Sequence, residues 1–142
     1  MPGQPPEFKQ LGQKGTEFKG FDTFDAPKLT TEVTFKTNEF TSLCPVTGQP
    51  DYQTITISYL PGEKCLESKS LKLYLMTFRN RGAFCEALAA EICDALFSAL
   101  NPKYLSVKIN QNPRGGIGIT AEAEKSREDE QWGRLSFSGE VE

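Results

Sequence analysis

The period of the apolar pattern changes twice along this chain, and the order of those changes restricts the folds open to it. Residues 30–37 alternate, with Val33 and Phe35 on one face and Glu32, Thr34 and Lys36 on the other. Residues 53–60 alternate again, Ile55, Ile57 and Tyr59 against Thr54, Thr56 and Ser58. Both predict strands. Residues 82–100 carry Phe84, Leu88, Ile92, Ala95, Leu96 and Ala99 at helical spacing and stop at Asn101-Pro102. Residues 70–79 fit either period, but their Leu, Lys and Met content and few β-branched residues favour helix. Leu105, Val107 and Ile109, then Ile117, Ile119, Ala121 and Ala123, return to alternation. Strand pairs flanking two helices predict an α+β domain: an antiparallel four-stranded sheet in the order ββααββ, with both helices packed on one face. That domain is expected over 29–125. Residues 1–28, with four of the nine prolines, predict an extended arm that orders only against a neighbour, and 126–142 a loose charged tail.

Composition then removes whole classes of chemistry. The 142 residues suffice for one domain with a real core. They include no histidine, which excludes Ser-His-Asp hydrolysis, Cys-His proteolysis and His-ligated zinc. The four cysteines, Cys44, Cys65, Cys85 and Cys93, form no C-x-x-C pair, so no metal site is expected. The start of the chain does not read as a signal peptide, and no apolar run is long enough for a membrane span. Reduced thiols in a cytoplasmic protein are therefore expected. A net charge of −3 argues against direct nucleic-acid binding, though not against a local basic pocket.

Three clusters carry candidate chemistry. Cys44-Pro45-Val46-Thr47-Gly48-Gln49-Pro50-Asp51 reads as a connection between the first two strands, with a constrained thiol and a carboxylate able to return toward it. A thiolate that attacks and a carboxyl that protonates make a usable pair; a small apolar cysteine and a turn aspartate are the ordinary alternative. Lys69 and Lys72, three apart on a helix, suit an anionic ligand, as does Arg114 in the turn Pro113-Arg114-Gly115-Gly116; all three also read as solvated surface cations. Gly116-x-Gly118-x-x-Ala121 is no dinucleotide fingerprint, because it leads into a strand with no room for a βαβ unit. In Gly82-Ala83-Phe84-Cys85-Glu86, Cys85 falls on the apolar helix stripe and Glu86 well off it. Glu86 there could accept paired N–H groups from a guanine-type edge, or simply complement the helix dipole.

Taken in order, Leu11-Gly12-Gln13-Lys14-Gly15-Thr16, the Cys44–Asp51 segment, Glu67-Ser68-Lys69-Ser70-Leu71-Lys72-Leu73-Tyr74, Phe78-Arg79-Asn80 and Pro113-Arg114-Gly115-Gly116-Ile117 resemble one family. The chain is similar to the short, single-module 7-cyano-7-deazaguanine (preQ0) reductases, the QueF family of tunnelling-fold (T-fold) enzymes, from about Leu11 to Lys125. The resemblance implies that Cys44 adds to a nitrile carbon to form a thioimide while Asp51 protonates the nitrogen. Two NADPH then carry the reduction to the primary amine, within queuosine tRNA modification. It implies that Leu66, Glu67, Ser68, Cys85 and Glu86 contact the deazapurine, and that Lys69, Lys72 and Arg114 hold the NADPH phosphates. It further implies homo-oligomeric rings with sites between subunits.

One position departs from the pattern: where the family usually has histidine before the substrate-binding glutamate, this chain has Cys85. A thiol relays protons poorly at neutral pH, which leaves open a purine-binding module with impaired catalysis. A Cys44–Cys85 disulfide acting as a redox shield is a further expectation from the pairing of thiols. Thr41-Ser42-Leu43-Cys44 also resembles the peroxidatic loop of peroxiredoxins, but the position that should be proline is Thr37. GTP cyclohydrolase I, another T-fold enzyme, needs histidines absent here.

Overall fold

A computed structural model describes residues 7–12 and 15–127. The strands are β1 (Thr23–Asp25), β2 (Val33–Leu43), β3 (Pro50–Leu60), β4 (Lys64–Leu66), β5 (Tyr104–Arg114) and β6 (Ile117–Ser126). Between β4 and β5 lie α1 (Ser68–Met76) and α2 (Cys85–Leu100). The main sheet is antiparallel in the order β2-β3-β5-β6, with the helix pair inserted at its centre in sequence. This is the expected ββααββ arrangement. A small β1–β4 ribbon, unforeseen from the sequence, pairs Thr23 with Leu66 and Asp25 with Lys64. The antiparallel meander also sets the chain apart from thioredoxin-like peroxidases.

Alternation sends one face of each central strand inward. Ile55, Ile57 and Tyr59 of β3 meet Leu105, Val107 and Ile109 of β5, all at most 1 % exposed. From α2, Leu88, Ile92 and Leu96 close over them, and burying each such side chain is worth about 1.5–3 kcal/mol. The Glu67 carboxylate caps α1, accepting the N–H groups of Lys69 and Ser70. Asn101 closes α2 in the left-handed conformation (φ 45°), and Pro102 prevents continuation.

Several boundaries differ from the sequence expectation: α1, expected over 70–79, runs from Ser68 to Met76, and β2 begins at Val33 rather than at residue 30. β2 runs on to Leu43 through a bulge between Thr37 and Phe40, and β3 begins at Pro50, so the connection shrinks to residues 44–49. α2 starts at Cys85, with Phe84 as a 59 %-exposed cap rather than a core residue. Gly82 instead forms a parallel bridge with Leu43. Part of the expected arm packs on its own domain: Phe18 and Phe21 lie with ring centroids 5.2 and 4.7 Å from Tyr74. Asp22 accepts the N–H groups of Lys9 and Gln10, both at 2.9 Å. Apart from Ser126, which ends β6, and Arg127, the expected tail lies outside the described residues. Among them, no helix is long and apolar enough to cross a membrane.

Candidate active site

The β2 bulge shifts strand parity by one residue, turning Phe40 and Ser42 inward. Cys44 follows on the same side, 7 % exposed, at the mouth of the sheet. Its turn closes through Cys44 N–H to the Gln49 carbonyl (2.8 Å) and Gly48 N–H to the Cys44 carbonyl (2.9 Å), with Gly48 at φ 74°, a conformation suited to glycine. The thiol is drawn down to a pKa of about 6. The Thr47 hydroxyl contributes most, followed by the Thr47 N–H, the Arg114 guanidinium and the Val46 N–H, with burial opposing. At neutral pH this sulfur is mainly thiolate, the nucleophilic form.

Asp51, 3 % exposed, stands directly across from Ser42 on β3. Arg114 Nη1 lies 3.2 Å from its Oδ1, close enough for an ion pair but without hydrogen-bond geometry. The local sequence aims that guanidinium. Gly115 and Gly116 take φ 60° and 82°, the pattern of a tight two-residue hairpin loop, and β5 bulges between Gln111 and Arg114. Arg114, expected among cofactor phosphates, is thus turned onto the thiolate and the carboxylate.

The segment before α2 is fastened to the same place. Leu43 N–H donates to the Arg81 carbonyl (2.9 Å) and Ala83 N–H to that of Leu43 (3.1 Å). Cys85 is therefore buried beside the cluster and Glu86 exposed in the first helical turn. Burial and then Glu86 push the Cys85 thiol up to about 11, so it stays protonated and donates to Glu86 Oε1 at 3.4 Å. All four cysteines are free thiols, so Cys44 and Cys85 are not bridged in this state.

Leu66, Glu67, Ser68 and Lys69 lie at the opposite end of β3. Leu66 N–H donates to the Tyr59 hydroxyl at 2.9 Å, and Tyr59 is eight residues along the strand from Asp51, roughly 27 Å of extended chain. The chain by itself therefore does not bring the Glu67 region to Cys44. Lys69 Nζ donates to the Gln10 carbonyl at 2.7 Å. Lys72, on the exposed side of α1, borders a groove of about 660 Å³ between α1 and β2, floored by Phe35, Ile57 and Leu71 and also bordered by Lys36 and Arg79. Sequence reasoning missed Thr47 as the main support of the thiolate, although it lay inside the motif. It also missed Gln53, 1 % exposed, whose place beside Asp51 was legible by extending the β3 alternation backward.

A family model described as QueF-like protein matches residues 50–130. The NADPH-dependent 7-cyano-7-deazaguanine reductase of Frankia casuarinae is 48% identical over 110 residues, 78% of this chain and 88% of the relative. Its namesake from Syntrophus aciditrophicus is 44% identical over 126 residues, 84% and 90% of the two chains. Among solved structures, the apo archaeosine synthase QueF-Like aligns with a TM-score of 0.64 at 26% identity, over 68% of this chain and 95% of that one. With a match spanning Asp51, both helices and Arg114, and with relatives this similar over most of their length, the chain belongs to the QueF family.

Proposed function

We propose that this protein reduces the nitrile of 7-cyano-7-deazaguanine to the primary amine of 7-aminomethyl-7-deazaguanine with NADPH, the nitrile step of queuosine tRNA modification. The observation that carries the reading is a thiolate-poised Cys44 beside a buried Asp51 in a chain of this family. The Cys44 sulfur adds to the nitrile carbon, forming a thioimide, and Asp51 delivers a proton to the nitrogen. Arg114, charged and within reach of both groups, holds the sulfur as thiolate until it attacks and receives it again when it leaves. Two NADPH molecules, bound in turn, would supply one hydride each.

The residues fit such a cofactor. Lys72, Lys36 and Arg79 ring an apolar-floored groove, a donor set suited to phosphates beside a flat heterocycle. Lys69 stands on the same helix, and Arg114 would meet the cofactor at its reacting end. Glu86, exposed at the start of α2, is available to pair with the deazapurine edge. Leu66, Glu67 and Ser68 are assigned to the deazapurine contacts of a site shared between subunits. A nucleophilic thiolate needs a reducing compartment, which points to the cytoplasm.

The test follows NADPH absorbance with and without 7-cyano-7-deazaguanine, for wild type and Cys44→Ala, with intact-mass detection of the adduct. Nitrile-dependent oxidation lost in the variant is expected. An adduct without oxidation would support the impaired-catalysis reading and implicate Cys85. Neither adduct nor oxidation would overturn the proposal.

A further inference from the structure

The inner face of β3 opens with two buried polar side chains, and the scheme above uses only one. Gln53 is 1 % exposed; its Nε2 donates to Ser42 Oγ at 2.8 Å, while its Oε1 has no partner among the described residues. Asp51 Oδ1 likewise lacks a hydrogen-bond donor. Parity puts these two acceptors on one face about 7 Å apart along the strand. Ser42 sits directly opposite Asp51, and Cys44 is two residues beyond Ser42 on the same side. A buried amide oxygen is normally paired. Here it is left over, one same-face step along β3 from Asp51.

The chemistry explains what such an oxygen is for. A nitrile nitrogen carries no hydrogen, so a neutral acceptor does nothing for the bound substrate. Addition of the Cys44 thiolate forms the S–C bond and moves an electron pair to nitrogen, which takes the Asp51 proton: the thioimide has one N–H. Hydride from NADPH to carbon and a second proton to nitrogen, given by Asp51 once solvent has reprotonated it, give an amine carbon still bound to sulfur. Departure of the thiolate breaks the S–C bond and leaves an iminium cation with two N–H groups. The second hydride converts it to the free amine. We propose that Gln53 Oε1 and Asp51 together form an acceptor pair for the N–H groups gained by the substrate nitrogen, favouring iminium and amine over nitrile. This rests on the nitrile-reductase reading. Such an interaction strengthens as the reaction proceeds, which is the kind that raises turnover rather than substrate affinity.

The test compares wild type, Gln53→Met, which keeps the length without an acceptor, and Gln53→Glu, which keeps acceptor oxygens to which the Ser42 hydroxyl can donate. For each, the rate of adduct formation with nitrile alone, kcat for NADPH oxidation and inhibition by the product amine are measured. For Gln53→Met we expect adduct formation within about twofold of wild type, with kcat and amine affinity both falling about 10- to 100-fold. Gln53→Glu should recover most of both. Unchanged kcat and amine inhibition in Gln53→Met would overturn the proposal, as would an adduct rate that falls in step with kcat, the mark of a purely structural role. A Gln53→Glu protein as impaired as Gln53→Met would also overturn it. A wild type that forms no adduct and oxidises no NADPH would instead remove the reductase reading, and the proposal with it.

Discussion

The low pKa of the Cys44 thiol is made by its turn. With no histidine in the chain, nothing can take the thiol proton in the manner of a cysteine protease. The work falls to the Thr47 hydroxyl, two turn N–H groups and Arg114, which together bring Cys44 to about 6. Alkylation of Cys44 by iodoacetamide should therefore rise through about pH 6 and level off by neutral pH. Thr47→Val removes the largest contribution, so its alkylation midpoint should move up toward the ordinary thiol value of 9.0; an unmoved midpoint would show that the turn N–H groups and Arg114 suffice. Cys85 provides an internal contrast. Pushed up to about 11 and buried, it should stay unmodified at pH 7 in the same peptide map, while Cys44 is fully labelled. The sequence pointed to Cys44 and Asp51 as a pair because both sit in one motif. It did not show Thr47 or the turned Arg114, because a hydrogen bond to sulfur leaves no pattern in composition and a hairpin does not announce where its side chains aim.

Elements were legible where one period ran long. The α2 stripe and the β3 and β5 alternations appear where expected, since each buries a continuous apolar face. The β2 bulge was hidden because one inserted residue makes both halves of the strand look like separate short signals. Hidden too was the docking of residues 81–83 along the end of β2, which involves main-chain groups only. That docking has a tight spot: a Cβ on Gly82 would lie 3.3 Å from Pro45 Cα, and backbone cannot swing aside as a flexible side chain does. Gly82→Ala should lower stability by about 1 kcal/mol in urea unfolding, by overpacking. Because Pro45 follows Cys44, the nucleophile proposed above, the rate of nitrile addition should fall by more than that energy alone suggests. Equal adduct rates in Gly82→Ala and wild type would show that the turn holds its shape without the docked segment.

The main sheet ends in two strands, β2 and β6, that each pair on one side only among the described residues. Long exposed edges invite pairing with another chain, and in a symmetric assembly the two edges of successive copies can meet and close a ring. The distribution of the candidate site residues argues the same way. Cys44, Asp51, Arg114 and Glu86 gather at one end of the sheet, whereas Leu66, Glu67 and Ser68 sit at the other, beyond the reach of one small heterocycle. If both groups serve the same substrate, each site takes its nucleophile from one subunit and its Glu67 region from the next. Mixing variants tests this directly. Cys44→Ala and Glu67→Gln proteins, each inactive alone, should regain about a quarter of wild-type NADPH oxidation after joint unfolding and reassembly at equal amounts, since random placement joins an intact Cys44 to an intact Glu67 in that share of sites. The glutamine retains one cap to the α1 N–H groups, so the helix should survive the change. No recovery from a mixed assembly of normal size would mean that each site lies within a single chain; recovery would make the oligomer the catalytic unit.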